Sequence, residues 1–216
     1  MSSGSRTEEN DCNRRTVSDA DKLRAMSPAF ESPRERRLWF WAGGLVVAIY
    51  ASLYSVRPLA EWLRDRNLLR AAIIGLFLGV AAIVLRWCLA RSPGRREIAV
   101  VALFAVLYMM VLWPIRMPEE RFHLLEYGLL AGLVYAALLE RRRPGAGMRW
   151  SAPAAVLAVL VSGCAGWVDE GIQYLLPNRY YDWIDVGLNV SAGVLAVAAL
   201  AALAEARRAD RAAAAG

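Results

Sequence analysis

Two groups of polar side chains interrupt otherwise apolar stretches of this 216-residue chain. Members of the first group recur every three or four residues, which is the spacing of one face of a helix: Glu119, His123, Glu126 and Tyr127. The second group lies further along the chain and comprises Asp169, Glu170, Gln173, Arg179, Asp182, Asp185 and Asn189. An imidazole that titrates near neutrality, placed beside carboxylates, is a combination suited to acid–base chemistry.

We assign a catalytic role as acid and base to His123, Asp169 and Glu170. Arg179 precedes a predicted helix whose free N–H groups would, together with the guanidinium, attract a phosphate or carboxylate. The residues assigned to binding are Gln173, Arg179, Asp185, Asn189, Tyr127 and Glu126. We assign no metal ligands, because a single histidine without cysteine spacing is a weak metal pattern, even though His123 with Glu119, Asp169 or Glu170 could hold a divalent ion. The sequence identifies no cofactor.

The apolar segments that carry these groups predict an integral membrane protein. Hydrophobic residues make up 57% of the chain. Each apolar run approaches the roughly 20 residues that a helix needs to cross a bilayer, and none alternates with the period of a strand. The predicted fold class is therefore all-α, a bundle of about six transmembrane helices at 38–56, 71–90, 98–115, 122–139, 152–168 and 184–203.

The distribution of basic residues predicts how these helices are oriented. Six spans place 19 Lys and Arg on the side of the two termini and seven on the other side. By the positive-inside rule the basic side is cytoplasmic, so both termini are predicted to be cytoplasmic and both polar groups to face outward. The net charge of +6 is therefore accounted for by basic residues in the cytoplasmic loops and tails, and we expect no nucleic-acid partner.

The chain divides into four predicted parts. Residues 1–37 are polar and read as a disordered cytoplasmic tail, and 38–96 hold two helices. Residues 97–205 hold four more helices, and 206–216 form a second cytoplasmic tail. The segment 59–69 has apolar and charged positions at helical spacing, which fits either a simple interfacial connector, the expected structure, or a short amphipathic helix lying in the outer interface.

The run DEGIQYLLPNRYYDWIDVGLN resembles the VanZ-like family of membrane proteins. Six residues match the family pattern Asp-Glu-x-x-Gln … Arg … Asp-x-x-x-Asn: Asp169, Glu170, Gln173, Arg179, Asp185 and Asn189. Upstream, His123 and Tyr127 are similar to the family's His-x-x-x-Tyr element, and the similarity covers roughly residues 98–205. Glu119-Glu120 stands where the family often has Asp-Lys.

The resemblance implies a multi-pass protein of the cell membrane, in a bacterium the inner membrane. It implies a role in the cell envelope, at an outward-facing site that binds or modifies a lipid-linked or cell-wall-related head group. The family is named for a protein linked to resistance to teicoplanin-type glycopeptides. Membrane lipid and such a head group are the expected partners, and the oligomeric state is left open. The alternatives are a proton- or ion-coupled transporter or flippase, or a structural membrane protein in which polar side chains only bridge helices.

Overall fold

The computed structural model describes residues 30, 32–113, 115, 120–142, 153–177 and 181–215. All regular structure in this part of the chain is α-helical, which confirms the predicted fold class. The helices are α1 (Pro33–Asp65), α2 (Leu69–Arg91), α3 (Arg95–Leu112), α4 (Glu120–Arg141), α5 (Ala154–Tyr174) and α6 (Trp183–Ala215).

Five of these helices are long and apolar enough to cross a membrane, so the chain is a multi-pass membrane protein by length and composition. The candidate spans are Pro33–Ser55, Leu69–Arg86, Arg121–Arg141, Ala154–Tyr174 and Trp183–Ala215. Helix α3 is not among them because it has 18 residues and begins with Arg95, Arg96 and Glu97. Its apolar remainder is about 22 Å long, shorter than a hydrocarbon core of about 30 Å. The sixth span stays a prediction.

Helix α1 is longer at both ends than the sequence predicted. It begins at Pro33, inside the segment assigned to the tail, because the Ser32 side chain accepts a hydrogen bond from the Glu35 N–H at 3.0 Å and caps the helix. It then continues through Pro58 to Asp65. The segment 59–69 is not a simple connector, since most of it is the last two turns of α1. The remaining 1–29 of the predicted tail lie outside the described residues.

Helix α4 lies at the centre of the bundle and packs against α1, α5 and α6. Its buried side chains recur every three or four residues along the helix: Leu124, Tyr127, Leu130, Ala131, Val134, Ala137 and Leu138. Helix α6 also packs against α5 and α3, whereas α2 packs mainly against α1. Much of α2 is therefore exposed apolar surface, which is the surface a membrane helix presents to lipid.

A cluster of polar side chains lies at the end of the bundle where α1 begins and α4 ends. We call it the distal cluster, formed by Ser32, Arg34, Glu35, Glu140 and Arg141. Glu35 is completely buried, with a carboxylate oxygen 3.6 Å from Arg141 Nε. Glu140 accepts a hydrogen bond from Ser32 Oγ at 3.3 Å and lies 3.7 Å from Arg34 Nη1. These contacts join the start of one helix to the end of another, so the two helices run in opposite directions.

Reporter fusions test the predicted orientation. Alkaline phosphatase fused after Leu176, in the link between α5 and α6, should be active because that end is predicted to lie outside a bacterial cytoplasm. The same reporter fused after Arg142, at the basic end of α4, should be inactive, and a fluorescent protein fused there should fluoresce. The reverse pattern would place the site of α4, α5 and α6 on the cytoplasmic side.

Candidate functional site

His123 and Asp169 bring the two polar groups of the sequence together. His123 lies in the first turn of α4 and Asp169 near the end of α5, and His123 Nδ1 is 3.6 Å from Asp169 Oδ2. The same nitrogen is 3.7 Å from Glu126 Oε2, one turn along α4. The Asp169 side chain is completely buried and the His123 side chain is 13% exposed. Each contact is an ion pair when the imidazole is protonated.

Glu170 links the end of α5 to the start of α6. Its side chain is 1% exposed. Gln173 Nε2 donates a hydrogen bond to Glu170 Oε1 at 3.2 Å, and the Asp182 main-chain N–H donates to Glu170 Oε2 at 3.3 Å. A buried carboxylate is stable only when hydrogen bonds or charges replace its water, and these two donors supply part of that replacement.

Small residues let α5 and α6 approach closely beside the site. Asn189 is completely buried, and its Nδ2 lies 3.5 Å from the Gly166 carbonyl oxygen, to which it donates. A Cβ atom on Gly166 would lie 2.6 Å from Asn189 Cβ, so no other residue fits there without movement. Small residues at helix contacts are a common device of membrane bundles. The close approach sets where Asp169, one turn further along α5, meets α4.

Hydrogen bonds to main-chain carbonyls hold the remaining helices around the site. Ser162 Oγ on α5 donates to the Tyr127 carbonyl oxygen on α4 at 3.0 Å. Tyr50 Oη on α1 donates to the Ala165 carbonyl oxygen at 2.8 Å. Both donors would be unsatisfied in an apolar interior without these acceptors, so each bond fixes the rotation of one helix against its neighbour.

The Tyr127 side chain points into the cluster from α4. It is completely buried, and its ring centroid is 6.0 Å from that of His123. Its hydroxyl lies beside the Asp169 carboxylate and within electrostatic range of Glu126.

Most of the residues that the sequence assigned to the site converge in the structure. His123, Glu126, Tyr127, Asp169, Glu170 and Gln173 form one cluster, and the half-buried Asp185 lies within electrostatic range of Glu170. Asn189 packs beside the cluster against α5. Arg179 and Glu119 lie outside the described residues.

Asp182, a member of the second polar group of the sequence, has a role different from that of its neighbours. It lies just before α6, its side chain is exposed, and Asp182 Oδ1 accepts a hydrogen bond from the Ile184 N–H at 2.7 Å. An aspartate in this position caps the helix, which is a structural role. Its main-chain N–H donates to Glu170, and its carboxylate lies within electrostatic range of Glu170.

Sequence analysis missed Tyr50, Ser162 and Gly166, the residues that fix the helices around the site. Each lies within an apolar run, where a lone tyrosine, serine or glycine carries no distinctive spacing. The sequence could have revealed Tyr50 and Ser162 only as hydroxyl groups within apolar helices, where each hydroxyl must find a hydrogen-bond acceptor in the protein. The identity of that acceptor depends on the packing of helices distant in sequence.

The site lies at the edge of the candidate spans and not at their midpoint. His123 is two residues inside the start of the span Arg121–Arg141, and Asp169 is five residues before the end of Ala154–Tyr174. Large exposed aromatic side chains surround this level of the bundle: Trp113, Trp167, Tyr174 and Trp183. Such residues favour the head-group layer of a membrane.

The carboxylates of the site repel one another at close range. Asp169 and Glu126 both face His123, and Glu170 has both Asp169 and Asp185 within electrostatic range. Buried carboxylates this close together do not all carry charge without compensation. The group therefore has to share protons, pair with cationic side chains or bind a cation. Each of these states suits a binding or acid–base site.

Comparisons with models of protein families, with curated proteins and with solved structures find no match to this chain. The resemblance to the VanZ-like family therefore stays a prediction that depends on the residue pattern alone. The chemistry of the site has to be inferred from its own geometry.

The substitution Gly166→Ala tests whether the close approach of α5 and α6 holds the site. We expect it to lower the free energy of unfolding by about 1–3 kcal/mol because the new methyl group overlaps Asn189. The melting temperature of the detergent-purified protein measures this. Gly171→Ala, in the same helix but with nothing within 4 Å of the new Cβ, is the matched control and should not destabilise the protein. Equal effects of the two substitutions would contradict the packing argument.

Proposed function

We propose that this chain is a VanZ-like membrane protein of the cell envelope whose cluster at α4, α5 and α6 binds the polar head group of a lipid-linked or cell-wall-related molecule. In this proposal the site faces outward and modifies the bound group by acid–base chemistry, with His123, Asp169 and Glu170 as the acid and base. Gln173, Asp185, Glu126 and Tyr127 line the same cluster and contribute to binding.

One observation carries the proposal: two carboxylates, Asp169 and Glu170, are buried near one end of a candidate membrane span. Burying a carboxylate costs several kcal/mol unless it is well compensated, so a membrane helix that keeps two in succession does so at the expense of stability. Structural bridges in this bundle use neutral side chains such as Ser162 and Asn189, or pair a buried acid with an arginine, as Glu35 is paired in the distal cluster. The carboxylates therefore favour a role in binding or reaction.

Their position favours a head group over a transported solute. Between the site and the distal cluster, the buried face of α4 is apolar at Leu130, Ala131, Val134 and Ala137. A proton or ion path needs polar groups or water along its length, and the completely buried positions of α4 offer none across this stretch. A site at one boundary of the membrane suits a ligand that resides in that boundary.

A lipid screen by thermal shift tests the proposal. We expect a prenyl phosphate or an anionic phospholipid, added to protein in a neutral detergent, to raise the melting temperature of the wild type by several degrees. Glu170→Gln should enlarge that increase for an anionic head group, because it removes a negative charge from the site while keeping an acceptor for Gln173. The unliganded melting temperature of this variant has to stay close to that of the wild type for the comparison to hold.

The matched control is Glu205→Gln, which makes the same chemical change on the exposed, far end of α6. It should leave the response to every lipid unchanged. If no head group stabilises the wild type, or if Glu170→Gln and Glu205→Gln respond alike, the cluster is a structural bridge and the proposal fails.

The link to glycopeptide resistance depends on the family resemblance alone and has its own test. Expression of the wild type in a susceptible bacterium should raise the minimal inhibitory concentration of teicoplanin, and expression of Glu170→Gln to the same level in the membrane should not. If both proteins raised the inhibitory concentration equally, resistance would not depend on Glu170 or its site. No response to either would leave head-group binding as the function to pursue.

A further inference from the structure

His123, Asp169 and Glu170 offer one nitrogen and two oxygen ligands that converge on one point. One ligand atom from each of the three residues lies within 4.8 Å of the other two. The three come from two helices, α4 and α5, which the bonds from Ser162 and Tyr50 hold in place. Imidazole and carboxylate together are a ligand set for Zn²⁺ and Mn²⁺, whereas Mg²⁺ and Ca²⁺ prefer oxygen alone.

The separations within the cluster suit coordination better than direct hydrogen bonding. His123 Nδ1 is 3.6 Å from Asp169 Oδ2 and 3.7 Å from Glu126 Oε2, longer than the usual N–H···O distance of about 2.7–3.2 Å. Around a tetrahedral Zn²⁺ with bonds of about 2.0–2.2 Å, neighbouring ligand atoms are separated by about 3.3–3.6 Å. The distance from His123 to Asp169 is at the upper end of this range, whereas the ligand atoms of His123, Asp169 and Glu170 are spread over up to 4.8 Å. Binding a metal ion would therefore draw the three side chains inward.

Tyr127 adds a further polar group beside the three ligands. Its hydroxyl is completely buried and faces the Asp169 carboxylate, which is its hydrogen-bonding neighbour. A buried donor that contacts a ligating carboxylate is typical of the residues that orient metal ligands.

The neighbours of Glu170 have the arrangement of outer-shell residues in metal sites. Gln173 and the Asp182 N–H each donate to one Glu170 oxygen, which fixes the orientation of the carboxylate. An ionised carboxylate has about four lone-pair positions, so both bonds leave room for a metal. Residues that contact metal ligands commonly fix the orientation of those ligands in this way.

We propose that His123, Asp169 and Glu170 bind a single divalent transition-metal ion of the Zn²⁺ or Mn²⁺ class. Three protein ligands leave at least one coordination position open, which is the pattern of a metal that also binds a small ligand. Metal binding goes beyond the proposed function and does not depend on head-group binding. It would replace the acid–base role of these three side chains, because a ligand atom bound to the metal does not also accept a proton. The ion's use as a bridge between these carboxylates and an anionic head group does rest on the proposed function.

Metal analysis of the purified protein is the direct test. The full chain, with any histidine tag removed, is stripped with a chelator, equilibrated with Zn²⁺ or Mn²⁺, and passed through a desalting column. We expect one ion per wild-type chain, a melting temperature several degrees higher with metal, and reversal by the chelator. His123→Gln and Asp169→Asn should lose the ion, and Gln173→Met should weaken the affinity by about tenfold to a hundredfold through the orientation of Glu170.

Two carboxylates outside the site provide matched controls. Glu35→Gln alters a completely buried acid of the distal cluster, and Glu205→Gln alters an exposed one. Both variants should keep one ion per chain, and Glu205→Gln covers the case in which Glu35→Gln does not fold. The proposal is overturned if the wild type retains no ion, if Mg²⁺ stabilises it as well as Zn²⁺ and Mn²⁺, or if the control variants lose metal as the site variants do.

The two proposals fail separately in this design. Head groups that stabilise the chelated wild type as strongly as the metal-loaded one would refute the bridging ion while the head-group site stands. An ion bound stoichiometrically to a protein that no head group stabilises would leave a metal site and remove the proposed function.

Discussion

Two buried carboxylates in a membrane bundle impose the constraint on which the rest of this structure depends. Asp169 and Glu170 have no water to solvate them, so other groups must surround them: His123 from α4, Gln173 from their own helix and the main chain before α6. That requirement brings three helix ends to one point. The close contact of Gly166 with Asn189 and the bonds from Tyr50 and Ser162 then become necessary, because a small rotation of α5 would separate the carboxylates from their partners.

The central helix α4 sets the distance between the two polar ends of the molecule. His123 and Glu140 are about 26 Å apart along the helix axis, close to the thickness of a hydrocarbon core. Each polar cluster therefore falls near one boundary of a membrane. The two differ in character. In the distal cluster Glu35 faces Arg141 and Glu140 faces Arg34, the pairing expected of a structural joint. In the site, Asp169 and Glu126 face one imidazole, which is the environment of a group that binds or exchanges charge.

Sequence reasoning was most successful where the information is local. The helical class, and the residues that share a face such as Asp169 with Gln173 and His123 with Tyr127, follow from spacing and hydropathy. It was wrong at both ends of α1. The helix begins at the Ser32 cap and continues past Pro58, and both features depend on helix propensity and side-chain packing, which hydropathy does not measure. It missed the distal cluster because Glu35 and Arg141 are charged residues beside apolar runs, where exposure is the normal expectation.

By itself the sequence determined that this protein is a helical membrane protein with two polar groups at helix ends, because hydropathy and helical spacing are properties of contiguous residues. Only the tertiary structure decided that both groups form one site, that Asp182 caps a helix, and that His123, Asp169 and Glu170 converge within 4.8 Å. These facts depend on which helices pack together and at what rotation. That choice is made by contacts such as Gly166 with Asn189, between residues that no local pattern connects.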